Sequence, residues 1–370
     1  MSNQKRLFLL DAYALIFRGY YAFIKNPRIN SKGVDTSAVM GFMNSLLDVI
    51  KRERPDHLAV CFDKGGSTSR TELFEDYKAN RDETPEAIKI AVPVIHEILR
   101  AMHIPIIEKA GFEADDIIGT LAKQAEKENF SIYMVTPDKD FAQLVSENIF
   151  MYRPARMGNG IEIWGVPEVQ AKFDVERPEQ VIDYLGMMGD SVDNIPGLPG
   201  VGDKTARKFI AEFGSMENLL QNTHQLKGKL KEKIEANKEL GMLSKELAKI
   251  MLDVPVAFNE KEYELNTPDI EKVKTLFQEL EFRRMTENLL KIFTPESTPS
   301  PETPIQEEAP KKNVSESLQF DLFSMPGAGE ATVEGSSFKT LKNPPHFYQI
   351  ADNPLAIELL LKKMGVQPSV

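Results

Sequence analysis

Nine aspartates and glutamates stand in short groups along the chain, and their number and spacing suit the binding of metal ions. They are Asp11, Asp63, Glu113, Asp115, Asp116, Asp138, Asp140, Asp190 and Asp193. Carboxylates gathered in one place repel one another and lose hydration energy unless protons or cations neutralise them. Hard divalent cations such as Mg²⁺ or Mn²⁺ prefer oxygen ligands and tend to lie between carboxylates and substrate phosphates. Two such ions about 4 Å apart can activate a water and stabilise the leaving oxygen of a phosphodiester.

The acids fall just after predicted strands. Short apolar runs predict strands at 7–10, 58–62, 104–107 and 132–135, and amphipathic runs predict helices at 34–52, 84–102 and 114–128. Asp11, Asp63 and Asp138 each follow one of these strands, and Glu113 opens the helix that follows another. In open α/β sheets ligands gather beyond the carboxyl ends of the strands, so the acids should converge on one crevice. The pattern predicts an α/β fold with a mostly parallel sheet flanked by helices.

Each group of acids also has an ordinary structural explanation. The alternatives are helix capping for residues 113–116, a turn for 138–140 and loop solvation for 190–193. The joint placement at strand ends favours a metal site over these separate explanations. The five histidines are scattered without ligand spacing, and the single cysteine, Cys61, lies in an apolar strand where a core thiol is expected.

A basic segment with an aromatic residue runs from Arg70 to Arg81. On a helix, Tyr77 and Arg81 would be one turn apart with Lys78 beside them, which would form a basic face. Such a face can bind phosphates and stack an unpaired base at a single-stranded 5′ end. The alternative is a solvated amphipathic helix without a ligand. Arg18, soon after the first acid, is a further candidate for contact with a phosphate near the metals.

A glycine-rich and proline-rich run separates two predicted helices, at 178–188 and 204–213. The small residues of the run let backbone N–H groups approach a phosphate, and the following helix presents its positive end. The residues expected to contact a DNA backbone here are Gly197, Gly200, Gly202, Lys204, Thr205, Arg207 and Lys208. The alternative is a helix-helix turn of purely structural use.

Composition leaves these hypotheses open. The chain has 370 residues, of which 42% are hydrophobic and 27% charged, as is usual for soluble globular proteins of two or three units. The net charge of −11 does not exclude a nucleic-acid partner, because metal-bound acids no longer count as free negative charge. The absence of a long apolar run and the single cysteine predict a cytosolic protein without a membrane partner.

The last part of the sequence changes character. Residues 294–345 are rich in proline, serine, threonine and glutamate, which predicts a flexible linker. Residues 346–370 contain one predicted strand, at 347–351, and one predicted helix, at 354–364. Because two such elements cannot bury a core alone, we expect this segment to begin a further domain.

Five stretches of sequence stand in the order found in a known family. They are Phe-Asp at 62–63, Phe-Glu-Asp-Tyr-Lys-Ala-Asn-Arg at 74–81, Glu-Ala-Asp-Asp-Ile-Ile-Gly-Thr-Leu-Ala at 113–122, Asp-Lys-Asp at 138–140, and Met-Gly-Asp-Ser-Val-Asp-Asn-Ile-Pro-Gly-Leu-Pro-Gly-Val-Gly at 188–202. They closely resemble the 5′ nuclease domain of bacterial DNA polymerase I, in the flap endonuclease superfamily. The resemblance covers roughly residues 5–290, and residues 346–370 resemble the start of that enzyme's proofreading-type exonuclease domain.

The resemblance implies a PIN-like (resolvase-like) core at 1–176, with an arch at about 70–93 that gates the 5′ strand. It also implies a helix-hairpin-helix (helix-three-turn-helix) subdomain at 177–293. Lys78, Arg81 and Arg18 would act at the catalytic centre, and Arg70 and Tyr77 would join the DNA contacts. One metal position would be surrounded by Asp11, Asp63, Glu113, Asp115 and Asp116, and the other by Asp138, Asp140, Asp190 and Asp193.

The implied substrates are DNA with 5′ flaps or nicks and RNA primers on lagging-strand fragments, cut by a monomer in the bacterial cytoplasm, at the nucleoid. The implied cofactors are two or more Mg²⁺ or Mn²⁺ ions and a K⁺ ion at the hairpin. Two other functions stay open, a PIN-type ribonuclease and a non-catalytic DNA-binding module. The hairpin favours the DNA nuclease over the ribonuclease, because simple PIN domains lack it.

Overall fold

A six-stranded sheet lies at the centre of residues 4–154 and 160–294, the part of the chain that this computed structural model describes. Its strands are β1 (Arg6–Asp11), β2 (His57–Phe62), β3 (Ile106–Glu108), β4 (Ser131–Val135), β5 (Ile149–Pro154) and β6 (Ile161–Trp164). They lie in the order β3-β2-β1-β4-β5-β6. All neighbours are parallel except β5 and β6, which are antiparallel. The predicted mostly parallel sheet is therefore confirmed.

Helices cover both faces of the sheet. Phe8 and Leu10 of β1 lie in one core with α1 (Ala12–Phe23), α2 (Ser37–Glu53) and α4 (Glu86–Ala101). Leu7 and Leu9 point to the opposite face, where α5 (Ala114–Lys127) packs. All four side chains are fully buried. A strand buried on both sides is an unbroken apolar run, which is why β1 could be recognised from sequence.

A short helix and two strands of this core differ from the elements that the sequence predicts. A short helix, α3 (Thr68–Leu73), precedes α4 and ends well before Arg81. β5 and β6 were not among the candidate strands. Trp164 at the end of β6 is buried, with the Arg153 guanidinium of β5 lying 3.8 Å from the centre of its ring.

A helical unit follows the sheet. Its helices are α6 (Val166–Phe173), α7 (Gln180–Met188), α8 (Asp203–Phe213), α9 (Met216–Gln221), α10 (Gly228–Ala236) and α11 (Lys238–Ala248). The predicted helix-hairpin-helix is α7, residues 189–202 and α8; we call residues 189–202 the hairpin. A Cβ on Gly197 would stand 2.6 Å from the backbone nitrogen of Gly189, and Gly197 has a φ of +68°. Only glycine fits this crossing of two backbone segments.

The chain then returns to the sheet domain through residues 249–265, which we call the return segment. Its backbone N–H groups at Met251 and Val254 donate to Asp116 and Thr120 of α5, at 2.8 and 3.3 Å. α12 (Glu260–Tyr263), α13 (Ile270–Glu279) and α14 (Arg283–Phe293) follow. α13 packs on α4 and α14 packs on α2. Residues 249–293 therefore contact the sheet domain, although the sequence suggested one helical subdomain across 177–293.

The predicted linker and the final strand and helix lie outside the described residues. Within the described residues, none of the helices has the length and apolar character needed to cross a membrane.

Candidate active site

Asp11 stands at the carboxyl end of β1 and caps the N-terminus of α1. Its Oδ1 accepts from the Ala14 N–H at 3.2 Å, and its Oδ2 accepts from the Thr136 hydroxyl at 3.0 Å. The residue is only 8% exposed. Burial, together with the charge of Asp63, raises the pKa of Asp11 to about 7. A nearby cation would favour the charged carboxylate.

Asp63 follows β2 and lies beside the start of α5. Its Oδ1 accepts from the Ala114 N–H at 2.9 Å, which joins the two elements. Burial raises the pKa of Asp63, and burial with the charge of Asp116 raises that of Asp115 well above its usual value. The charge of Glu113 acts in the same direction on both. Asp11, Asp63 and the start of α5 thus form one acidic group, as predicted from the strand ends.

Asp138 and Asp140 form a second group after β4. Asp138 caps a 3-10 helix at Lys139–Leu144 by accepting from the Asp140 N–H at 3.1 Å. Burial and the neighbouring charge of Asp138 raise the pKa of Asp140 well above its usual value. The Oδ1 atom of Asp140 is buried and accepts no hydrogen bond from any described residue. This oxygen is therefore free to bind a cation.

Asp190 and Asp193 complete the second group from the start of the hairpin. Two backbone hydrogen bonds of 2.9 and 2.7 Å between Asp190 and Ile195 close the loop that carries them. Asp190 pairs with Lys139 at 3.1 Å. The negative charges of both hairpin acids also raise the pKa of Asp140. The helical unit therefore supplies two carboxylates to an edge otherwise built by the sheet.

Lys78 lies between the two acidic groups. Its Nζ is 2.7 Å from Glu113 Oε1 and 3.5 Å from Asp193 Oδ2, and Arg81 also pairs with Asp193. Lys78 has a φ of +56°, and its N–H donates to the Asp193 carbonyl at 3.0 Å. Two cations from one segment thus neutralise acids of both groups.

The segment around Lys78 differs from the prediction in one respect. Because α3 ends at Leu73, Tyr77 and Arg81 do not share a helical face. Tyr77 is 8% exposed, and its hydroxyl donates to Glu113 at 3.0 Å. The expectation of an exposed ring ready to stack a base is wrong for this conformation.

Arg70 and Asp116 form a buried ion pair beside the two acidic groups, which together we call the acidic edge. The guanidinium donates to both Asp116 oxygens at 2.7 and 2.8 Å and to the Leu247 and Lys249 carbonyls. The side chains are 5% and 0% exposed. Arg70 therefore does not face solvent as a DNA contact would, which corrects that expectation. Both Asp116 oxygens already accept hydrogen bonds, and the residue is fully buried in this conformation.

The remaining predicted contacts divide by exposure. Lys204 and Lys208 on α8 are exposed and Thr205 is half-buried. Arg207 is instead held by Asp203 at 2.8 Å and by Asp174 at 3.2 Å. Arg18 donates to the Pro154 carbonyl at 2.8 Å.

The glycines of the hairpin also differ from one another. The Gly197 N–H donates a hydrogen bond to Ser244 Oγ at 2.9 Å and is not available to a phosphate. A Cβ added to Gly202 would meet nothing within 4 Å, whereas one on Gly200 would touch Leu230 at 3.5 Å. Space for an approaching phosphate is therefore clearest at Gly202.

Two family descriptions match the chain in sequence. Residues 6–174 match the 5′-3′ exonuclease N-terminal resolvase-like domain, and residues 176–271 match the 5′-3′ exonuclease C-terminal SAM fold. A relative named 5′-3′ exonuclease, from Aquifex aeolicus, is 38% identical over 78% of this chain and 96% of its own length.

This chain belongs to the 5′-3′ exonuclease family.

Members of the family occur alone and within longer enzymes. DNA polymerase I of Bacillus subtilis is 40% identical over 78% of this chain, but the match covers only 33% of that enzyme. Among solved structures, the bacteriophage T5 D15 flap endonuclease in complex with DNA and metal ions has a TM-score of 0.54. It is 21% identical over 78% of this chain and 99% of its own. The PIN-like core with a helical SAM-fold unit is thus the fold of this family.

The carboxylates of the acidic edge are suitable ligands for divalent metals, although, among the described residues, no three of them bring one oxygen each within 4.8 Å of one another. Among residues with defined positions, the three possible ligands whose atoms all lie within 4.8 Å are His57, Glu260 and Glu264, away from this edge. Mg²⁺ keeps several waters and needs only one or two direct carboxylates, so it tolerates wider spacing. The buried free oxygen of Asp140 and the raised pKa of Asp11 both fit a cation at this edge.

Sequence reasoning missed three residues of the candidate site. Thr136 holds Asp11, Lys139 pairs with Asp190, and Asn80 donates to the Ser191 carbonyl at 2.7 Å. A lysine between two aspartates in Asp-Lys-Asp was a visible signal for the second. No local signal showed the partners of the other two, because those partners are far away in sequence.

Proposed function

We propose that this chain is a structure-specific 5′ nuclease that acts as a 5′→3′ exonuclease and a 5′-flap endonuclease. Its substrates are the phosphodiester bonds of DNA and of RNA primers, at flaps, nicks and primed ends. The observation that carries the proposal is the convergence of carboxylates from β1, β2, α5, the segment after β4 and the hairpin on one edge. Lys78 lies between them, 2.7 Å from Glu113 and 3.5 Å from Asp193.

Two or more Mg²⁺ or Mn²⁺ ions are the proposed cofactors. Asp11, Asp63, Glu113 and Asp115 would hold one position, with Asp138, Asp140, Asp190 and Asp193 around the other; Asp116 would support the first through Arg70. Bound ions of this kind supply an activated water and stabilise the leaving oxygen. Support comes from Oδ1 of Asp140, which has no hydrogen-bond partner among the described residues, and from the burial that disfavours charged Asp11 when no cation is near.

Lys78 and Arg81 are proposed to position the scissile phosphate. Both now pair with Asp193, and Lys78 also pairs with Glu113. When bound cations neutralise those acids, the two side chains are released to donate charge-assisted hydrogen bonds to a phosphate. Arg18 is a weaker candidate for the same role, because its guanidinium already donates to the Pro154 carbonyl.

The hairpin is proposed to hold the duplex by its backbone and without regard to sequence. Lys204 and Lys208 are exposed beside it, Thr205 is half-buried, and Gly202 leaves open space in front of the α8 N-terminus. Charge on exposed lysines supplies salt-dependent, sequence-independent affinity. A K⁺ ion held by hairpin carbonyls belongs to the same proposal. So does the monomeric state, since one chain carries both the acids and the hairpin.

The chain is further proposed to be the 5′ nuclease part of a DNA polymerase I, working in lagging-strand processing and repair at the bacterial nucleoid. It spans about a third of the Bacillus polymerases that it matches. The domain limits at 1–176 and 177–293, with residues 249–293 packed back on the first domain, belong to this proposal. So do the linker at 294–345 and a proofreading-type domain beginning at 346.

The test is a cleavage assay on 5′-flap, nicked, RNA-primed and single-stranded RNA substrates across a Mg²⁺ titration. We expect cleavage of the flap and primed duplexes, abolished by EDTA and by Asp140→Asn but not by Asp253→Asn, which changes an exposed aspartate. Equal cleavage in EDTA would refute the metal mechanism. Cleavage of RNA alone would favour the PIN-type ribonuclease, and duplex binding without cleavage would favour the binding module.

A further inference from the structure

A histidine and two glutamates meet at the amino end of β2. His57 is the first residue of that strand, Glu260 opens α12 and Glu264 follows it. One ligand atom from each lies within 4.8 Å of the others, and His57 Nε2 is 3.9 Å from Glu260 Oε1. His57 and Glu264 also form an antiparallel backbone bridge. The three side chains are thus held together by the fold itself.

Among the described residues, His57 is buried without a hydrogen-bond partner. It is 3% exposed, with its ring edge-on to Phe130 at a centroid distance of 5.0 Å. Neither ring nitrogen makes a hydrogen bond with residues 4–154 or 160–294. A buried polar group without a partner lowers the stability of the folded state, so a ligand bound to a ring nitrogen would remove that loss. Burial also lowers the pKa of His57, which keeps a lone pair available at neutral pH.

We propose that His57, Glu260 and Glu264 bind a Zn²⁺ ion. One imidazole and two carboxylates, with a water in the fourth position, form a tetrahedral zinc site; Mg²⁺ prefers oxygen ligands alone. Zinc bonds of about 2.0–2.1 Å place neighbouring ligand atoms roughly 3.4 Å apart. Closing the present spacing needs shifts of about an ångström, which the partly exposed glutamates can make.

Lys5 opposes metal binding at this site. Its ammonium now pairs with Glu260, and the lysine side chain is 55% exposed. A metal ion would displace it, and Lys5 would turn into solvent at little cost. Removing the lysine should therefore strengthen zinc binding, which is the opposite of what removal of a ligand does.

The proposed site is structural and separate from the acidic edge. Asp63 follows the other end of β2, about 20 Å away at roughly 3.3 Å per residue. A zinc ion would link the start of β2 to the return segment. These two segments are already joined by a hydrogen bond of 3.0 Å from the Leu265 N–H to the Asp56 carbonyl. This inference does not depend on the proposed nuclease function.

The test is a Zn²⁺ titration of the full chain by calorimetry, with millimolar Mg²⁺ present to occupy the acidic edge. We expect one zinc ion to bind at this site, with affinity lowered tenfold or more in Glu264→Gln and in His57→Gln. Lys5→Met should raise the affinity several-fold, and the control His224→Gln, at an exposed histidine, should not change it. Because His57→Gln changes a buried side chain, Glu264→Gln provides the variant whose folding is not in question.

A second readout identifies the ligand directly. In long-range ¹⁵N–¹H spectra, the ring nitrogens of His57 should shift on addition of Zn²⁺ and not on addition of Mg²⁺. Zinc binding that is unchanged in both Glu264→Gln and His57→Gln, or ring resonances that do not respond to zinc, would overturn the proposal. Flap cleavage in Mg²⁺ should be unaffected by Glu264→Gln, so failure here is distinct from failure of the nuclease assignment.

Discussion

Asp116→Asn should destabilise the protein strongly, because it removes the negative partner of a buried arginine. In the wild type both Asp116 oxygens accept from Arg70, and Oδ1 also accepts from the Met251 N–H at 2.8 Å. An asparagine of the same shape keeps one acceptor but turns an NH₂ group toward donors of Arg70. Unpairing a buried charge costs about 3–5 kcal/mol, and the remaining Glu113, 3.2 Å from Arg70, argues for about 3 kcal/mol.

The assay is thermal unfolding in EDTA, followed by circular dichroism. For a domain of this size, about 3 kcal/mol lowers Tm by roughly 6–12 °C. Asp138→Asn is the matched control; Asp138 is exposed, and its loss should change stability by about 0.5 kcal/mol or less. The double variant Arg70→Met with Asp116→Leu should recover only part of the loss, because no charge is left unpaired but the Met251 N–H and the Leu247 and Lys249 carbonyls lose their partners.

The two interpretations of Asp116 give opposite results. If Asp116→Asn unfolds within about 1 °C of the wild type yet loses Mg²⁺-dependent cleavage, the reasoning from the buried pair is refuted. Asp116 would then face the metal, as the sequence alone suggested.

Three further predictions concern the arch, the hairpin and the dependence on pH. Lys78→Ala should slow flap cleavage about 100-fold while its affinity for duplex DNA changes little. The control Lys89→Ala, at an exposed lysine of α4, should cut at the wild-type rate. If Lys78→Ala also cuts at the wild-type rate, Lys78 has no role in catalysis. Gly202→Ala should weaken duplex binding while the free energy of unfolding changes by less than about 1 kcal/mol. Gly197→Ala should lower the free energy of unfolding, measured in urea, by about 2 kcal/mol or more. Similar losses in the two variants would contradict the close backbone crossing at Gly197. Burial lowers the pKa of His96, so the unfolded chain takes up the proton first and stability falls as pH drops below the usual histidine value. His96→Gln should lose less stability between pH 7 and 5, and an identical loss would show that His96 is not responsible.

The frame of the candidate site followed from local patterns in the sequence. β1, β2 and β4 are apolar runs closed within three residues by an acid, and parallel strands share their carboxyl edge. The positions of Asp11, Asp63 and Asp138 at one edge were therefore predictable. The glycines around Pro199 similarly predicted a break between α7 and α8.

The pairing of charges did not follow from local patterns. Helical spacing suggested a basic face through Arg81, but the chain leaves the helix at Leu73 because its polar groups find partners in the hairpin. Asn194, for example, donates to the Asp76 carbonyl at 2.7 Å. Arg70 resembled a DNA contact only because nothing nearby in sequence showed that Asp116 and two distant carbonyls surround it.

The return segment has a consequence for the order in which the protein folds during synthesis. The Met251–Asp116 and Val254–Thr120 hydrogen bonds join residues 135 and 134 positions apart. At about 5–20 residues per second, the ribosome needs roughly 7–27 s to make that length of chain. The face of α5 at Gly119, against which Ile250 and Leu252 of the return segment pack, therefore stays uncovered while the whole helical unit is translated. Transiently exposed apolar surface of this kind is what chaperones protect.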